Sequence, residues 1–169
     1  MKKALVIIDM QNDFITEALA NPDAQAIVPD IIAYMGGFDG DIFATRDTHG
    51  RDYLNTPEGK RLPVVHCVHG THGWEIEDGI SSALAAKNAK ILDKPTFGSL
   101  NWACLDGYDE IELIGTCTDI CVVSNALILK ALYPNALLRV RPALCAGTTK
   151  ENHDAAIAVM RCCQVEIVE

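Results

Sequence analysis

Cys121 has the sequence surroundings that most clearly predict chemistry in this chain. An apolar run at residues 111–114 is closed by Gly115, and a helical pattern begins near Ile120. This order places Cys121 in a first helical turn, where unpaired backbone N–H groups and the positive end of the helix dipole gather. Such a position favours the thiolate, which is the nucleophilic form of cysteine. The alternative is a buried cysteine without reactivity.

Two other side chains could work with a cysteine nucleophile. Asp9 directly follows the apolar run at residues 4–8, and a carboxylate near a thiol can accept its proton. Lys94 follows a short strand predicted at residues 89–92 and would supply positive charge to an oxyanion or to the thiolate. Taken alone, Asp9 could instead cap a helix or turn, and Lys94 could be a solvated loop residue.

Asp47 and His49 form a second group with possible chemistry. Two ligands at i and i+2 in an extended loop can face one metal ion, and His66 is a candidate third ligand. One carboxylate and two imidazoles with open positions suit a divalent metal, which we expect to be Zn²⁺, with Fe²⁺ or Mn²⁺ as alternatives. His69 and His72 are near His66 in sequence, so the third ligand remains open among these three. A purely structural role for the histidines is the competing interpretation.

The composition limits the class of protein. The chain has 169 residues, 49% hydrophobic and 22% charged, which predicts one globular domain over residues 1–169. A net charge of −9 without a basic run argues against nucleic acid or an anionic membrane as a partner. The apolar run at residues 4–8 is too short for a signal peptide, and no segment has transmembrane length. Seven scattered cysteines favour the reducing cytoplasm, and we expect Cys162 and Cys163 to be packing residues.

Strand and helix patterns alternate along the chain. We predict strands at residues 4–8, 41–45, 89–92, 110–114, 136–140 and 164–168. Helices are predicted at residues 26–34, 80–87, 99–105, 120–133 and 149–162, with a polar loop at 46–61 and a short strand or connector at 63–68. The alternation indicates a parallel sheet with helices on both faces. Ligands of such sheets bind at the carboxyl ends of strands, so Asp9, Asp47 and Cys121 could converge there.

Taken together, the motifs resemble the isochorismatase-like cysteine hydrolases and, within them, the nicotinamidases. The segments that match follow the family's order over nearly the whole chain: Asp9-Met10-Gln11-Asn12-Asp13-Phe14, Arg46-Asp47-Thr48-His49, His66-Cys67-Val68 with Gly70-Thr71, Lys94, Gly115 through Val123, and Ala143 through Thr148 leading to His153. The Asp, the Lys and the motif Gly-x-x-Thr-Asp-x-Cys-Val are the most specific part of the match.

The resemblance carries expectations for fold and site. It implies a three-layer α-β-α, Rossmann-like fold with a mainly parallel six-stranded sheet, and a cis peptide at Thr116–Cys117. It further implies a catalytic triad of Asp9, Lys94 and Cys121, a metal that holds the pyridine nitrogen of the substrate, and assembly into a homodimer or higher homo-oligomer. Phe14 would form one wall of the substrate pocket. The metal ligands implied by the family pattern are Asp47, His49 and His66.

Two segments depart from the nicotinamidase pattern. Thr48 stands where these enzymes usually carry Trp, and the segment Leu62-Pro63-Val64-Val65 replaces one that tends to carry Trp-Pro. A further histidine ligand of some nicotinamidases would fall near Tyr53 or Asn55, and neither residue replaces it well. The presence of Asp47, His49 and His66 still favours the metal-bearing nicotinamidases over the metal-free isochorismatases.

These expectations combine into one leading hypothesis. The chain is expected to be a cytoplasmic, cysteine-dependent amidohydrolase of a small carboxamide, with nicotinamide as the expected substrate and nicotinate and ammonia as products. Backbone N–H groups of Cys117 and Cys121 would form the oxyanion hole. The nearest alternative keeps the fold and the triad but changes the substrate to another amide, a carbamoyl or ureido compound, or an enol ether. A second alternative is a non-catalytic redox or metal-binding protein that uses its cysteines.

Overall fold

The computed structural model describes all 169 residues, in which six strands alternate with seven α-helices. In chain order, the elements are β1 (Lys3–Ile8), α1 (Asn12–Ile15), α2 (Pro22–Ala26), α3 (Val28–Gly37), β2 (Asp41–Asp47), α4 (Pro57–Arg61), α5 (Asp78–Ala86), β3 (Lys90–Lys94), β4 (Glu110–Thr116), α6 (Val123–Leu132), β5 (Leu137–Ala146), α7 (Lys150–Cys162) and β6 (Glu166–Ile167). A π-helical turn, Thr118–Val122, precedes α6, and three short 3₁₀ turns lie in the connections.

All six strands belong to one parallel sheet with the order β3-β2-β1-β4-β5-β6. The prediction of a mainly parallel six-stranded sheet is confirmed. The strand order reverses between β1 and β4, and the crevice at such a reversal is where open α/β sheets bind ligands. We therefore expect the residues that follow β1 and β4 to line a ligand site.

Strand β1 shows why the sheet is sandwiched between helices. Its residues 4–8 are fully buried and alternate between two hydrophobic clusters, with Ala4, Val6 and Ile8 in one and Leu5 and Ile7 in the other. A strand covered on both faces needs a continuous apolar run, and the sequence supplies one.

Helices of both clusters complete the three layers. On one face, the cluster includes residues of α3 and α5, namely Ile31, Met35, Ile80 and Leu84. On the other face, the cluster includes residues of α6 and α7, namely Ala126, Leu129, Ile157 and Met160. The predicted three-layer α-β-α architecture is confirmed. None of these helices combines the length and the apolar character that a membrane span requires.

Four predictions of local structure or packing are wrong. Residues 99–105 do not form a helix, and only a 3₁₀ turn exists at Ala103–Leu105. The reason is that side chains take the backbone N–H groups that a helix would use: Asn125 Oδ1 accepts from the N–H of Ser99 at 2.9 Å, and Ser99 Oγ accepts from that of Asn101 at 3.1 Å. Cys162 and Cys163 are exposed, so they are not packing residues.

The polar loop predicted at residues 46–61 contains a helix. The short helix α4 begins after Thr56, whose Oγ1 accepts the N–H of Gly59 at 3.0 Å, and Pro57 occupies its first turn. Strand β5 is also longer than predicted, since it continues through Pro142 to Ala146, with a register shift against β4 that tolerates the missing N–H. In both segments a proline lies inside the element that the prediction missed: Pro57 in the first turn of α4 and Pro142 in β5.

Candidate active site

Asp9, Lys94 and Cys121 meet at the carboxyl edge of the sheet. Asp9 directly follows β1, Lys94 is the last residue of β3, and Cys121 lies in the π-helical turn after β4. Lys94 Nζ is 2.6 Å from Asp9 Oδ2 and 3.5 Å from Cys121 Sγ. The three side chains come from distant parts of the chain, and all are at least 95% buried, with residue exposures of 0%, 1% and 5%. The structure thus brings together the three residues of the expected triad.

The backbone around Asp9 and Cys121 has unusual geometry on both sides of the crevice. Asp9 adopts a left-handed conformation with φ of 48°, which turns the chain sharply at the end of β1. Gly115 has φ of 117°, and a Cβ at this position would lie 2.2 Å from the carbonyl oxygen of Ile8. Only glycine therefore allows β1 and β4 to approach this closely. The cis peptide expected at Thr116–Cys117 is present.

Cys121 occupies a different turn from the one predicted. It lies in the π-helical turn that Cys117 precedes, and the Cys117 carbonyl accepts the N–H groups of Ile120 and Val122, each at 3.1 Å. The regular helix α6 starts only at Val123. π-helical turns are rare and concentrate at functional sites. The local turn thus strengthens the case for chemistry at Cys121.

Burial and charge set the resting protonation of these groups. Burial raises the pKa of the Cys121 thiol well above its usual value, the charge of Asp9 raises it further, and Lys94 opposes both. Burial also raises the pKa of Asp9, although Lys94 and Thr45 act in the opposite direction. Burial lowers the pKa of Lys94, but its negative neighbours together, Asp9 foremost, outweigh burial, so the pKa is raised and the ammonium stays protonated. Burial therefore opposes the thiolate that the helix start favours, which agrees with the expected transfer of the Cys121 proton to Asp9.

A second cluster of polar side chains adjoins the first. One ligand atom from each of Asp47, His49, Glu58 and His66 lies within 4.8 Å of the others. Lys94 links the two clusters, because its Nζ is 3.5 Å from Asp47 Oδ1. The structure thus brings together the three expected metal ligands and adds Glu58, which the sequence interpretation missed.

His69 and His72 lie outside this cluster. The ring of His69 packs against Trp74, with 4.6 Å between centroids, and the ring of His72 pairs with exposed Glu17 at 2.5 Å. The open choice among three histidines therefore resolves toward His66.

The cluster fits a divalent transition metal by its donor chemistry. His66 Nδ1 is 2.8 Å from the carbonyl oxygen of Val64, so it carries the proton and leaves Nε2 facing the carboxylates. His49 Nε2 is 2.9 Å from Asp47 Oδ2 and 3.6 Å from Glu58 Oε1. Asp47 Oδ1 is buried without a hydrogen-bond donor. Two imidazoles and two carboxylates are a common ligand set for Zn²⁺ and related ions.

Glu58 had a sequence signal that could have revealed it. Thr56-Pro57-Glu58 has a residue that caps helices, then a proline suited to a first helical turn, then an acid that suits the positive helix end. This short helix turns Glu58 back toward His49. The further ligand sought near Tyr53 is not there, because the buried Tyr53 ring instead packs against His49 and His66, with centroid distances of 4.7 and 4.9 Å.

Gln11 fixes the segment that carries the candidate metal ligands. Its Oε1 accepts the N–H of Asp47 at 2.7 Å, and its Nε2 donates to the carbonyl oxygens of Asp47 and Trp74, each at 2.8 Å. Gln11 is fully buried, so these bonds are shielded from water. The sequence interpretation assigned no role to this glutamine, although it lies two residues after Asp9.

A cavity of about 410 Å³ opens onto both clusters. Its walls are mainly apolar, and its charged lining residues are acidic; the lining comprises Phe14, Leu19, Ala20, Asn21, Pro22, Asp47, Glu58, Leu62, His66, Phe97, Cys117, Ile120, Cys121 and Thr148. Phe14 forms one wall as expected, with its ring 5.5 Å from the ring of His66 in an edge-to-face arrangement. A mostly apolar pocket with a few polar groups is typical of small-molecule sites.

The two departures from the nicotinamidase pattern lie at this cavity or near it. Leu62 lines the cavity. Thr48 Oγ1 accepts a hydrogen bond from the Trp74 indole at 2.9 Å, and the Arg46 guanidinium stacks over the same indole at 3.7 Å. A tryptophan from another segment therefore packs beside the position where the family pattern has one.

Comparisons with known proteins agree with this geometry. The chain is 31% identical to a nicotinamidase/pyrazinamidase from Mycobacterium tuberculosis over 185 residues, covering 98% of each protein. A crystal structure of nicotinamidase from Bacillus subtilis is 27% identical in sequence and has a TM-score of 0.80. The alignment covers 100% of each chain. A zinc complex of pyrazinamidase from Pyrococcus horikoshii is 25% identical with a TM-score of 0.80, covering 100% of this chain and 99% of that one.

The family comparison covers nearly the whole chain. The isochorismatase domain matches residues 3–169, which include both side-chain clusters and all six strands. With the similarity to nicotinamidases over 98% of the chain, this match identifies the family without reliance on a single motif. The chain belongs to the isochorismatase family, in its nicotinamidase-like branch.

Proposed function

We propose that this protein hydrolyses nicotinamide to nicotinate and ammonia, with Cys121 as the nucleophile. The observation that carries the proposal is the contact of Lys94 with Asp9 and Cys121, directly beside a metal-ligand cluster in one cavity. Nicotinamidases and pyrazinamidases among its relatives support the substrate class. The reaction class is hydrolysis of an amide C–N bond.

The geometry supports a mechanism that starts with a proton transfer. Asp9 takes the proton of the Cys121 thiol, which is needed because the thiol is protonated at rest. The sulfur attacks the amide carbonyl, and backbone N–H groups of Cys117 and Cys121 stabilise the oxyanion. The C–N bond breaks as Asp9 returns the proton, and ammonia leaves. Water, deprotonated by Asp9, then cleaves the thioester to give the acid and the free thiol.

Lys94 stabilises the charges of this cycle. Its ammonium stays protonated between Asp9 and Cys121, so it offsets the burial of the carboxylate and of the developing thiolate. An unpaired charge at these buried positions would be several kcal/mol less stable, by rough estimate. Lys94 therefore acts as a fixed charge and does not exchange protons.

Asp47, His49, Glu58 and His66 would hold one divalent metal ion, and zinc is the expected metal because the Pyrococcus horikoshii relative is a zinc complex. When bound, the ion would supply a Lewis acid for the ring nitrogen of the substrate. Gln11 holds the Asp47 backbone and the Val64 carbonyl holds the His66 ring, so two of the side chains that would bind the ion are fixed before it binds.

The charge of the cavity favours an uncharged amide over an anionic substrate such as isochorismate. No lysine or arginine lines the cavity, and Lys94 is already paired with Asp9. Isochorismate carries carboxylates for which the lining offers no lysine or arginine, and the charge of the proposed divalent ion would already be balanced by Asp47 and Glu58. Nicotinamide is neutral and has no such penalty.

We further propose that residues 1–169 form one domain that assembles as a homodimer in the cytoplasm. Support for the domain is the family match over residues 3–169, and support for the cytoplasm is the seven free thiols. The apolar side chain of Leu100, which is 83% exposed, supports self-association. Sedimentation at micromolar concentration should give about twice the chain mass of 18.3 kDa; a species of that single mass alone would contradict the dimer.

The function is tested by ammonia release from a panel of compounds. We expect turnover of nicotinamide, weaker turnover of benzamide, which lacks the ring nitrogen, and none of anionic ureido acids or enol ethers. Cys121→Ala should abolish ammonia release, whereas the matched control Cys163→Ala, at an exposed position, should retain it. Absence of ammonia from every amide, together with reversible thiol oxidation, would instead support a redox protein.

A further inference from the structure

Thr45 makes two hydrogen bonds to the candidate base. The residue lies in β2, is fully buried, and donates its hydroxyl proton to Asp9 Oδ1 at 2.7 Å. The same Oγ1 accepts the backbone N–H of Asp9 at 3.2 Å. One hydroxyl therefore ties the Asp9 carboxylate to the Asp9 backbone and leaves the other carboxylate oxygen, Oδ2, to Lys94 at 2.6 Å.

We propose that Thr45 is a positioning residue, which fixes the rotation of the Asp9 carboxylate so that Oδ2 remains directed at Lys94 and the Cys121 thiol. This inference rests on the proposed triad, and it adds a residue that touches neither substrate nor nucleophile. This role is needed because the carboxylate of an aspartate rotates easily about its terminal torsion, which has a broad and nearly two-fold preference. The ion pair alone would allow either carboxylate oxygen to face Lys94.

The local packing argues for a polar task at this position. Thr45 sits in a buried strand position where valine would have almost the same shape and no hydroxyl to desolvate. The hydroxyl donates its proton to the Asp9 carboxylate and accepts a hydrogen bond from the Asp9 backbone N–H. Without it, Asp9 Oδ1 would be a buried, charged oxygen without a donor, which favours rotation or protonation of the carboxylate.

The charged groups around Asp9 fix the direction of the expected change in pH dependence. Lys94 from β3 and the Thr45 hydroxyl from β2 favour the charged carboxylate, whereas Asp47 from β2 opposes it and Cys121 lies beside it after β4. Loss of the hydroxyl should therefore make Asp9 easier to protonate. The reaction requires the deprotonated carboxylate. As the pH is lowered, the variant should therefore lose activity at a higher pH than the unchanged protein does.

The test compares Thr45→Val, which removes the hydroxyl at nearly constant shape, with Thr45→Ser, which retains it. For Thr45→Val, we expect kcat for nicotinamide to fall roughly 10- to 100-fold with KM and metal content unchanged, and the acid limb of the pH profile to move upward. Thr45→Ser should recover most of the rate. If Thr45→Val does not fold, as judged by thermal melting, Thr45→Ala is measured in its place.

A second readout does not depend on the substrate. Iodoacetamide modification of Cys121, followed by mass spectrometry with the exposed Cys162 and Cys163 changed to serine, should slow in Thr45→Val by a similar factor. Unchanged kcat, pH profile and alkylation in Thr45→Val, with Asp9→Asn inactive, overturn the role of Thr45 alone. Loss of metal content in Thr45→Val also overturns it, because the effect would then pass through Asp47. Near wild-type rates in Asp9→Asn would instead refute the triad.

Discussion

The proposed triad and the proposed metal-ligand cluster lie side by side but are built in different ways. Asp9, Lys94 and Cys121 come from the ends of three different strands and are almost fully buried. The metal cluster comes from the end of β2 and the connection after it, and its Glu58 side chain remains 19% exposed. The first site depends on the order of strands in the sheet, whereas the second depends on one segment of about twenty residues folding back on itself.

This difference has an energetic consequence. A buried ion pair such as Lys94–Asp9 is tolerated because both partners are present, and removal of one leaves an uncompensated charge. The carboxylates of the metal cluster would instead be compensated by an ion that can be removed from solution. Changes in the Lys94–Asp9 pair should therefore affect both turnover and stability, whereas changes in the metal cluster should affect mainly substrate binding and metal content.

The largest expected effect is at the nucleophile. Cys121→Ala should lower kcat by about 10⁴-fold or more, because the covalent intermediate cannot form. Metal content and the melting temperature should remain close to those of the unchanged protein, since the adjoining ligands are intact. Measured turnover within tenfold of wild type would remove Cys121 from the mechanism.

Lys94→Met separates charge from shape in the triad. We expect turnover to fall by about 10³-fold and the free energy of unfolding to fall by roughly 3–5 kcal/mol, because the buried Asp9 carboxylate loses its ion-pair partner and keeps only the Thr45 hydrogen bonds. The double variant Asp9→Asn/Lys94→Met should recover most of the stability but none of the activity. Denaturant unfolding and steady-state kinetics measure both. A double variant as unstable as the single one would contradict the ion-pair explanation.

Removal of the metal should have a smaller effect that falls on binding. Chelation, or His66→Ala, should raise KM for nicotinamide by about 10- to 100-fold while the fold survives, because the ion orients the substrate and the nucleophile is generated elsewhere. Glu58→Gln should lower metal affinity, and His72→Ala is the matched control that should not. Elemental analysis and KM values decide this; full metal content in His66→Ala with loss in His72→Ala would show that the ligand assignment is wrong.

The smallest expected effect distinguishes the two sites most sharply. Thr56→Ala removes the hydroxyl that caps the helix carrying Glu58, a change of about 1 kcal/mol in local stability. Metal affinity should fall a few-fold, because Glu58 is then held less firmly, whereas alkylation of Cys121 should be unchanged. Titration with Zn²⁺ measures the first quantity. A change confined to the alkylation rate would show that the two sites are not separable in this way.

Much of the fold was predictable because it depends on short-range patterns. The apolar run of β1 and the Gly115 turn before Cys121 each indicate their local structure without any partner. Asp9 and Cys121 were identified at strand ends for the same reason. The match with the isochorismatase family pattern, more than spacing, singled out Lys94 and His66, since a lone lysine or histidine has many ordinary roles.

Other properties were decided only when the strands were assembled. The strand order β3-β2-β1-β4-β5-β6 brings Lys94 into contact with Cys121 and the Thr45 hydroxyl into contact with Asp9. No local sequence pattern predicts the order of the strands. Burial by the assembled layers raises the pKa of Cys121 and so favours its thiol form. The helix start alone had favoured the thiolate. The sequence determined which residues could do chemistry, while distance and desolvation, which exist only in the folded chain, decided how they would do it.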